Sequence, residues 1–402
     1  MNTKLIALVL FTLTFGAFAY YPTLDAKTVV VDPLDPLDSV EVPLNANGQP
    51  VIDVVFVLDT TGSMSGLIQT AKEKIWSIAS TMAAAQPTPE IRIGLVGYRD
   101  RGDAYVTRKV DLSGDLDSVY AALVDFQADG GGDTPESVNA ALEVAVNSMS
   151  WSEQDQAYQV IFLVGDAPPH MDYQDEMQYP AIVAAARERG IVVNAIQCGA
   201  MSVTAEPWAQ IAALGQGSFF QVEQAGSAVA YTTPFDTELA ELSARLDATR
   251  LYYGSEEDME AAAAKLAATE KLSALASDEA KARRAAFNLS AAGEINRLGE
   301  NELVDAVTKG EVRLDELSAS ALPAAIAAMS PAEQSAHVAQ LADERAELQG
   351  RMRSLAESRD AFIRQKVEEE GGAADSLDQK LYDAIANQAK KVGLDYDDGP
   401  SY

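Results

Sequence analysis

Between Val51 and about Leu246, short continuous apolar runs alternate with segments whose apolar residues recur every three or four positions. The run Val54 to Leu58 predicts a strand buried on both faces. Leu67, Ile68, Ala71, Ile75, Ile78, Ala79 and Met82 follow at helical spacing. Further strands are expected at Ile91–Tyr98, Tyr105–Val110, Val160–Val164, Ile191–Ile196 and Phe219–Val222. Helices are expected at Leu116–Phe126, Val138–Met149, Ala181–Arg189 and Trp208–Leu214. This repeated βα order predicts an α/β fold. It should be a doubly wound, mainly parallel sheet with helices on both faces and one hairpin between Ile91 and Val110.

From about Asp236 the strand pattern stops, and Ala, Glu, Leu, Lys and Arg dominate, a helical composition. Leu341, Leu348, Leu355 and Phe362 repeat every seven residues, with Val338 and Met352 between them. Arg345 and Arg359 interrupt that seam. The expectation is an all-α region with coiled-coil character, folded as an intramolecular hairpin rather than an extended dimer coil. The stretch from Asp395 to Pro400 reads as a loose acidic tail.

The amino terminus has the form of an export signal: Lys4, an apolar stretch from Leu5 to Phe18, and Ala17-Phe18-Ala19 as a small-x-small cleavage site. It is either cleaved near Ala19 or kept as an anchor. The stretch is short for a membrane span, and the mature chain is expected to have none. Residues 20–50, rich in Pro and Asp with Asp32-Pro33-Leu34 repeated as Asp35-Pro36-Leu37, read as a linker with one short extended piece at Thr28–Val31. The organisation is therefore a signal over 1–19, a linker over 20–50, an α/β domain over 51–246 and a helical region over 247–402. The protein is expected outside the cytoplasm, in the periplasm, at the cell surface or beyond.

Composition narrows the chemistry. The 402 residues hold 30 Lys plus Arg against 61 Asp plus Glu, a net charge of -31, which opposes nucleic-acid phosphates. One cysteine, Cys198, rules out an internal disulfide and a Cys-based metal site. Two histidines, His170 and His337, leave little for a zinc site of several histidines. A metal here should be a hard cation held by oxygen.

Three polar segments begin where buried strands end. Asp59-Thr60-Thr61-Gly62-Ser63 follows the first strand, and its alternating Asp59, Thr61 and Ser63 can turn three oxygens toward one point. The same residue types also cap helices. Gly130-Gly131-Gly132-Asp133-Thr134-Pro135 precedes another helix, with Asp133 and Glu136 at capping-box spacing. Gly165-Asp166-Ala167-Pro168-Pro169-His170 is the third. In an open α/β sheet, loops at the carboxyl ends of strands converge on one crevice.

This pattern resembles the von Willebrand factor A domain with its metal-ion-dependent adhesion site, over about Asp53 to Leu246. The sequence looks most like exported bacterial members with a helical carboxyl-terminal extension. The resemblance implies a cation, Mg²⁺ or else Mn²⁺ or Ca²⁺, at Asp59, Thr61, Ser63, Thr134 and Asp166. Thr61 and Ser63 would bind through their hydroxyls, Thr134 directly or through water, and Asp59 and Asp166 mostly through water. One coordination position would stay open for an Asp or Glu of a protein partner. Ala167 stands where many members have Gly, and Pro168-Pro169 should stiffen the loop.

His170 reads as a loop-fixing or partner-contacting group, or alternatively as a base; no Ser or Cys nucleophile pattern lies beside it. Arg101-Gly102-Asp103 reads as a structural turn, and Cys198 as a small core residue. The function expected is an exported, divalent-cation-dependent protein-binding module, not an enzyme. The alternatives are a structural envelope scaffold assembled through the helical half and, third, a metal-assisted hydrolase.

Overall fold

The computed structural model describes residues 49–132, 134–153, 157–223, 231–369, 376–396 and 399–400. The expected signal and the linker up to residue 48 lie outside the described residues. The strands are β1 (Val51–Asp59), β2 (Glu90–Tyr98), β3 (Thr107–Ser113), β4 (Ala157–Gly165), β5 (Val192–Cys198) and β6 (Gln216–Val222). They form one six-stranded sheet in the order β3-β2-β1-β4-β5-β6. All neighbours are parallel except β3, which pairs antiparallel with β2 as the expected hairpin.

The continuous apolar run of β1 has its reason in the two layers of helix around it. Ile52, Val54, Phe56 and Leu58 enter the core on one face, and Val55 and Val57 enter the core on the other. The first face is covered by α1 (Ser65–Ala83) and α2 (Leu116–Val124); the second by α3 (Val138–Asn147), α4 (Tyr179–Glu188) and α5 (Ser202–Leu214).

The helical region comprises α6 (Asp236–Asp247), α7 (Glu256–Leu275), α8 (Asp278–Leu289), α9 (Glu294–Leu298), α10 (Leu303–Lys309), α11 (Ala324–Ala327), α12 (Pro331–Glu369) and α13 (Leu377–Ala389). Its helices pack against the sheet's helices as well as against one another. Trp76 of α1 stacks on Tyr120 of α2 and meets Phe287 of α8, with ring centroids 6.0 Å apart in each case. Leu381, Ile385 and Ala389 of α13 complete the same core. Gln388 of α13 accepts hydrogen bonds from Tyr158 (2.7 Å) and Asn194 (3.2 Å) under β4 and β5. The hydrophobic core therefore runs through residue 246 without a break, and residues 51–246 alone would bare the outer faces of α1 and α2.

Two expectations are corrected. The 39-residue α12 does not form a coiled-coil seam; it packs against α6, α8 and α10. The arginines that interrupted the heptad pattern are buried ion pairs: Arg345 grips Glu302 through two bonds of 2.9 Å, and Arg359 meets Asp236 at 2.8 Å. Nor is the chain loose at Asp395. Its backbone pairs with Gln86 in both directions (2.8 and 3.0 Å), and Tyr396 packs against the core. Among the described residues, no helix is long and apolar enough to cross a membrane.

Candidate metal centre

Because β1, β2, β4, β5 and β6 run the same way, their carboxyl ends share one edge of the sheet. Asp59 ends β1 there, fully buried. Its Oδ1 accepts from the Thr61 amide (2.8 Å) and the Thr61 hydroxyl (2.6 Å), and Thr61 Oγ1 lies 3.3 Å from Ser63 Oγ. The first loop thus draws Asp59, Thr61 and Ser63 into one hydrogen-bonded cluster, with Ser63 at its exposed end. The helix-cap alternative does not hold, since neither the short turn at Gly62–Met64 nor α1 has a side-chain cap.

The glycine-rich loop docks on this cluster. The Gly62 amide donates to the Gly130 carbonyl (3.2 Å) and the Gly131 amide to Asp103 Oδ2 (3.1 Å). Gly131 has φ +81°, and a Cβ there would sit 3.2 Å from Thr61 Cβ and 3.4 Å from Glu136 Oε1. Only glycine brings the backbone this close in that conformation. Thr134 follows on the same loop, exposed.

Asp166 lies just past the end of β4, beside Asp59. Gly165 is tightly enclosed: a Cβ would meet Tyr98 Oη at 2.5 Å and Asp59 Cβ at 2.9 Å. The Asp166 loop is tied down from three sides. Its carbonyl accepts from Thr204 (2.8 Å), the Ala167 carbonyl from Trp208 (3.0 Å) and the Pro168 carbonyl from the Glu136 amide (2.9 Å). The stiffness expected from Pro168-Pro169 therefore comes with a β-bridge between Pro169 and Glu136.

Glu136 was missed in the sequence. The capping-box spacing pointed to a cap, but α3 begins at Val138, and Ser137 turns its hydroxyl to Asp100 (3.0 Å). Glu136 is instead buried against the site, with Oε2 lacking a hydrogen-bond partner. The only signal for it was the pairing of a carboxylate with the glycine run.

Several carboxyls crowd together at this site and raise one another's pKa. Burial pushes the Asp59 carboxyl up to about 7, against the pull of the Thr61 hydroxyl and amide and with a further rise from Asp166. Burial pushes Glu136 up to about 9, reinforced by Asp59, Asp100, Asp103 and Asp166. Asp59 Oδ2 and Tyr98 Oη are buried without hydrogen bonds of normal geometry. Orphaned buried carboxylate oxygens beside two hydroxyls fit a hard divalent cation. Among the described residues, no three His, Cys, Asp or Glu side chains gather as a metal cage. A centre built here would therefore take hydroxyl as well as carboxylate oxygen.

His170 is a clamp in this geometry. Nδ1 lies 2.8 Å from Asp172 Oδ1, Nε2 3.3 Å from Asp100 Oδ1, and the ring stacks on Tyr173 with centroids 4.0 Å apart. Burial lowers its pKa, but Asp172 and Asp100 outweigh burial and hold it above the ordinary value. In the Arg101-Gly102-Asp103 turn, Arg101 pairs with Glu176 (2.6 Å) and Asp175 (3.0 Å), while Asp103 binds the glycine loop. Cys198 is fully buried, and burial pushes its thiol up.

The von Willebrand factor A domain profile matches residues 53–232. Von Willebrand factor A domain-containing protein 7 of Rattus norvegicus is 37% identical over 97 residues, 24% of this chain and 10% of that protein. A putative ariadne-like RING finger protein, R811, of Acanthamoeba polyphaga mimivirus is 28% identical over 128 residues, 31% of this chain and 12% of that protein. The chain thus spans about a tenth of the length of these curated relatives. Among solved structures, the SpRpn10 VWA domain gives a TM-score of 0.34 at 14% identity, covering 43% of this chain and 89% of that one. Proximal thread matrix protein 1 of the mussel byssus, in a form with a zinc-occupied MIDAS motif, gives 0.34 at 17% identity, covering 44% and 42%. Residues 53–232 of this chain are a von Willebrand factor A domain. Domains of this class generally mediate protein interactions.

Proposed function

We propose that the protein is an exported, divalent-cation-dependent protein-binding module. Asp59, Thr61, Ser63, Thr134 and Asp166 would hold the cation, with Mg²⁺ the first candidate and Mn²⁺ or Ca²⁺ the others. Glu136 stands beside them as a further carboxylate. The observation that carries this reading is the buried Asp59 carboxyl, held by Thr61 on one oxygen and with no hydrogen bond of normal geometry on the other. The cation would supply positive charge to that oxygen and attract an incoming Asp or Glu of a partner. This chain's residues would orient the hydroxyls and keep water from the buried side. The reading is of binding rather than catalysis, because the Thr61 and Ser63 hydroxyls are engaged with Asp59 and with each other.

The site lies at the carboxyl end of β1. Scaffold assembly through an exposed α12 seam is disfavoured, because that helix spends its apolar residues inside the fold.

Calorimetric titration with Mg²⁺ and Mn²⁺ tests the reading. Wild type should bind, and its thermal midpoint should rise by mass action. Asp59→Ala should keep the fold and lose both effects. Equal affinity in the two proteins would sink the assignment. Export is checked separately by amino-terminal sequencing of protein recovered outside the cytoplasm, which should begin near Tyr20.

A further inference from the structure

Eight large apolar side chains are exposed among the described residues, and four of them lie in the loops after β4 and β5 or the first turn of α5: Met171 (50% exposed), Met177 (49%), Met201 (41%) and Val203 (60%). These loops follow β4 and β5, which are hydrogen-bonded neighbours, so they share the edge that carries the metal centre. The adjacency is direct. Thr204, next to Val203, donates its hydroxyl to the Asp166 carbonyl at 2.8 Å. Met201 is held by its carbonyl to Gln197 Nε2 at 2.8 Å. Met171 follows His170, whose amide donates to the Glu136 carbonyl at 3.1 Å. Scattered surface hydrophobes are ordinary, but a group confined to one edge beside a polar centre marks a contact surface. Methionine suits such a surface because its unbranched, polarisable chain adapts to what it meets.

The same rim carries exposed carboxylates. Asp129, Asp172 and Asp175 stand out in solvent, beside Arg99 (3.8 Å), His170 (2.8 Å) and Arg101 (3.0 Å) respectively. With a net charge of -31 on the chain, a partner that approaches this edge meets a negatively charged protein.

We propose that Met171, Met177, Met201 and Val203 are the apolar half of a two-part recognition surface, which rests on the metal-dependent reading above. The partner that fits is a polypeptide segment with three features. One Asp or Glu reaches the cation. A large aliphatic or aromatic side chain next to it lies on the methionines. Lys or Arg on the flanks meets Asp129, Asp172 and Asp175. Charge complementarity thus sets the outer contacts, and apolar burial selects among acidic segments that the cation alone would treat alike.

The test uses the full chain and fluorescent synthetic peptides in anisotropy titrations up to about 1 mM, the weak end of specific affinities. The first peptide is Lys-Ser-Leu-Asp-Phe-Ser-Lys; the second replaces Leu and Phe by Ser; the third replaces Asp by Asn. Each is titrated in Mg²⁺ and in excess chelator, against wild type and Met171→Ser/Val203→Ser. The first peptide should bind wild type in Mg²⁺ about tenfold or more tightly than the second, as for loss of a central apolar anchor. The double variant should erase that preference, while calorimetry still detects its Mg²⁺ uptake. Equal binding of the first two peptides, or an unchanged preference in the double variant, overturns the apolar surface and leaves the metal reading standing. Equal binding in chelator, or by the Asn peptide, overturns the metal reading itself. Failure of every peptide to bind a protein that takes up Mg²⁺ also overturns the proposed surface.

Discussion

Replacing Arg284 by Met should cost the protein a large share of its stability, although the residue lies in the helical half. Arg284 is almost fully buried and grips Asp117 of α2 through two bonds of 2.6 Å. It also reaches Asp247 (2.8 and 3.1 Å) and Ser243 (2.9 Å) of α6. Burial alone would raise the Asp117 carboxyl, but the Arg284 guanidinium overrides it and holds Asp117 well below its ordinary value. Removing one partner of a buried pair leaves the other charge uncompensated, at a cost of ~3–5 kcal/mol. Thr269 (2.9 Å) and Asn296 (3.2 Å) still donate to Asp117, which favours the lower end of that range. The pH dependence follows from the same shift. With a folded pKa below the unfolded value near 3.8, Asp117 stabilises wild type above that value, and the contribution is lost as pH falls through the folded pKa. In the variant Asp117 loses the group that held it down, so lowering the pH from 8 to 5 should shrink the deficit as the carboxyl takes up a proton. Urea unfolding followed by circular dichroism reads both effects, and Asp117→Asn/Arg284→Met should recover part of the loss. A deficit below about 1 kcal/mol, the value of an exposed pair, would refute the argument, as would a deficit that is the same at both pH values.

Thr134→Ala should weaken binding of an acidic partner more than binding of Mg²⁺, since Thr134 is exposed on the partner-facing loop; the comparison is one titration of each kind. Glu136→Gln removes one of the carboxylates crowded around Asp59, and should raise the midpoint of the metal-free protein while lowering Mg²⁺ affinity about tenfold, the scale of a lost supporting ligand. Scanning calorimetry with and without Mg²⁺ separates the two effects. Lys74 is buried against Asp378 at 2.9 Å, and burial pushes its ammonium down to about 8 despite that carboxylate. The folded state therefore releases this proton before the unfolded state does, so stability from this group should rise from about pH 8 toward 10.5. Urea midpoints across that range should show the rise in wild type and lose it in Lys74→Met.

The sheet was legible because its strands are buried on two sides. A run such as Val54 to Leu58 has few other readings, and the loops that follow such runs must meet on one edge. Asp59, Thr61 and Ser63 could be placed on that edge because they follow the first buried strand, although the same residue types also cap helices. Glu136 could not, because a carboxylate three residues after Asp133 satisfies the local rule for a cap. What overrides that rule is tertiary: Pro168 and His170 hold the Glu136 backbone in a bridge before the helix begins. The docking of the helical half was only partly legible: its composition left open whether it folds against itself or against the sheet domain. Heptad spacing records which residues share a helix face, but not what covers it. Arg345 and Arg359 looked like flaws in a seam, whereas each has its carboxylate in a distant part of the chain, at Glu302 and Asp236.

Those ion pairs bear on how the site can respond to a partner. Arg284, Arg345 and Arg359 fasten α8 and α12 to α2, α6 and the start of α10. Each tolerates little displacement, because a buried charge shifted from its partner loses Coulomb energy without regaining water. On one face, therefore, α1 and α2 are packed under helices held by rigid polar contacts. The edge of the candidate site is tied differently. Its loops are joined by individual hydrogen bonds from Thr204, Trp208 and Gly62 and by the two backbone bonds of the Glu136 bridge. A ligand-driven change that rearranged those bonds would cost far less than one that drew α8 away from Asp117. Motion on binding should then concentrate in the loops around Asp59, Gly131 and Asp166. The helical half would serve as the fixed frame against which they move. Hydrogen exchange with and without Mg²⁺ checks this distribution: protection should change around residues 59–64, 129–137 and 166–178, and stay constant in α8 and α12. Equal changes in α8 would place the flexible joint in the ion-pair network instead.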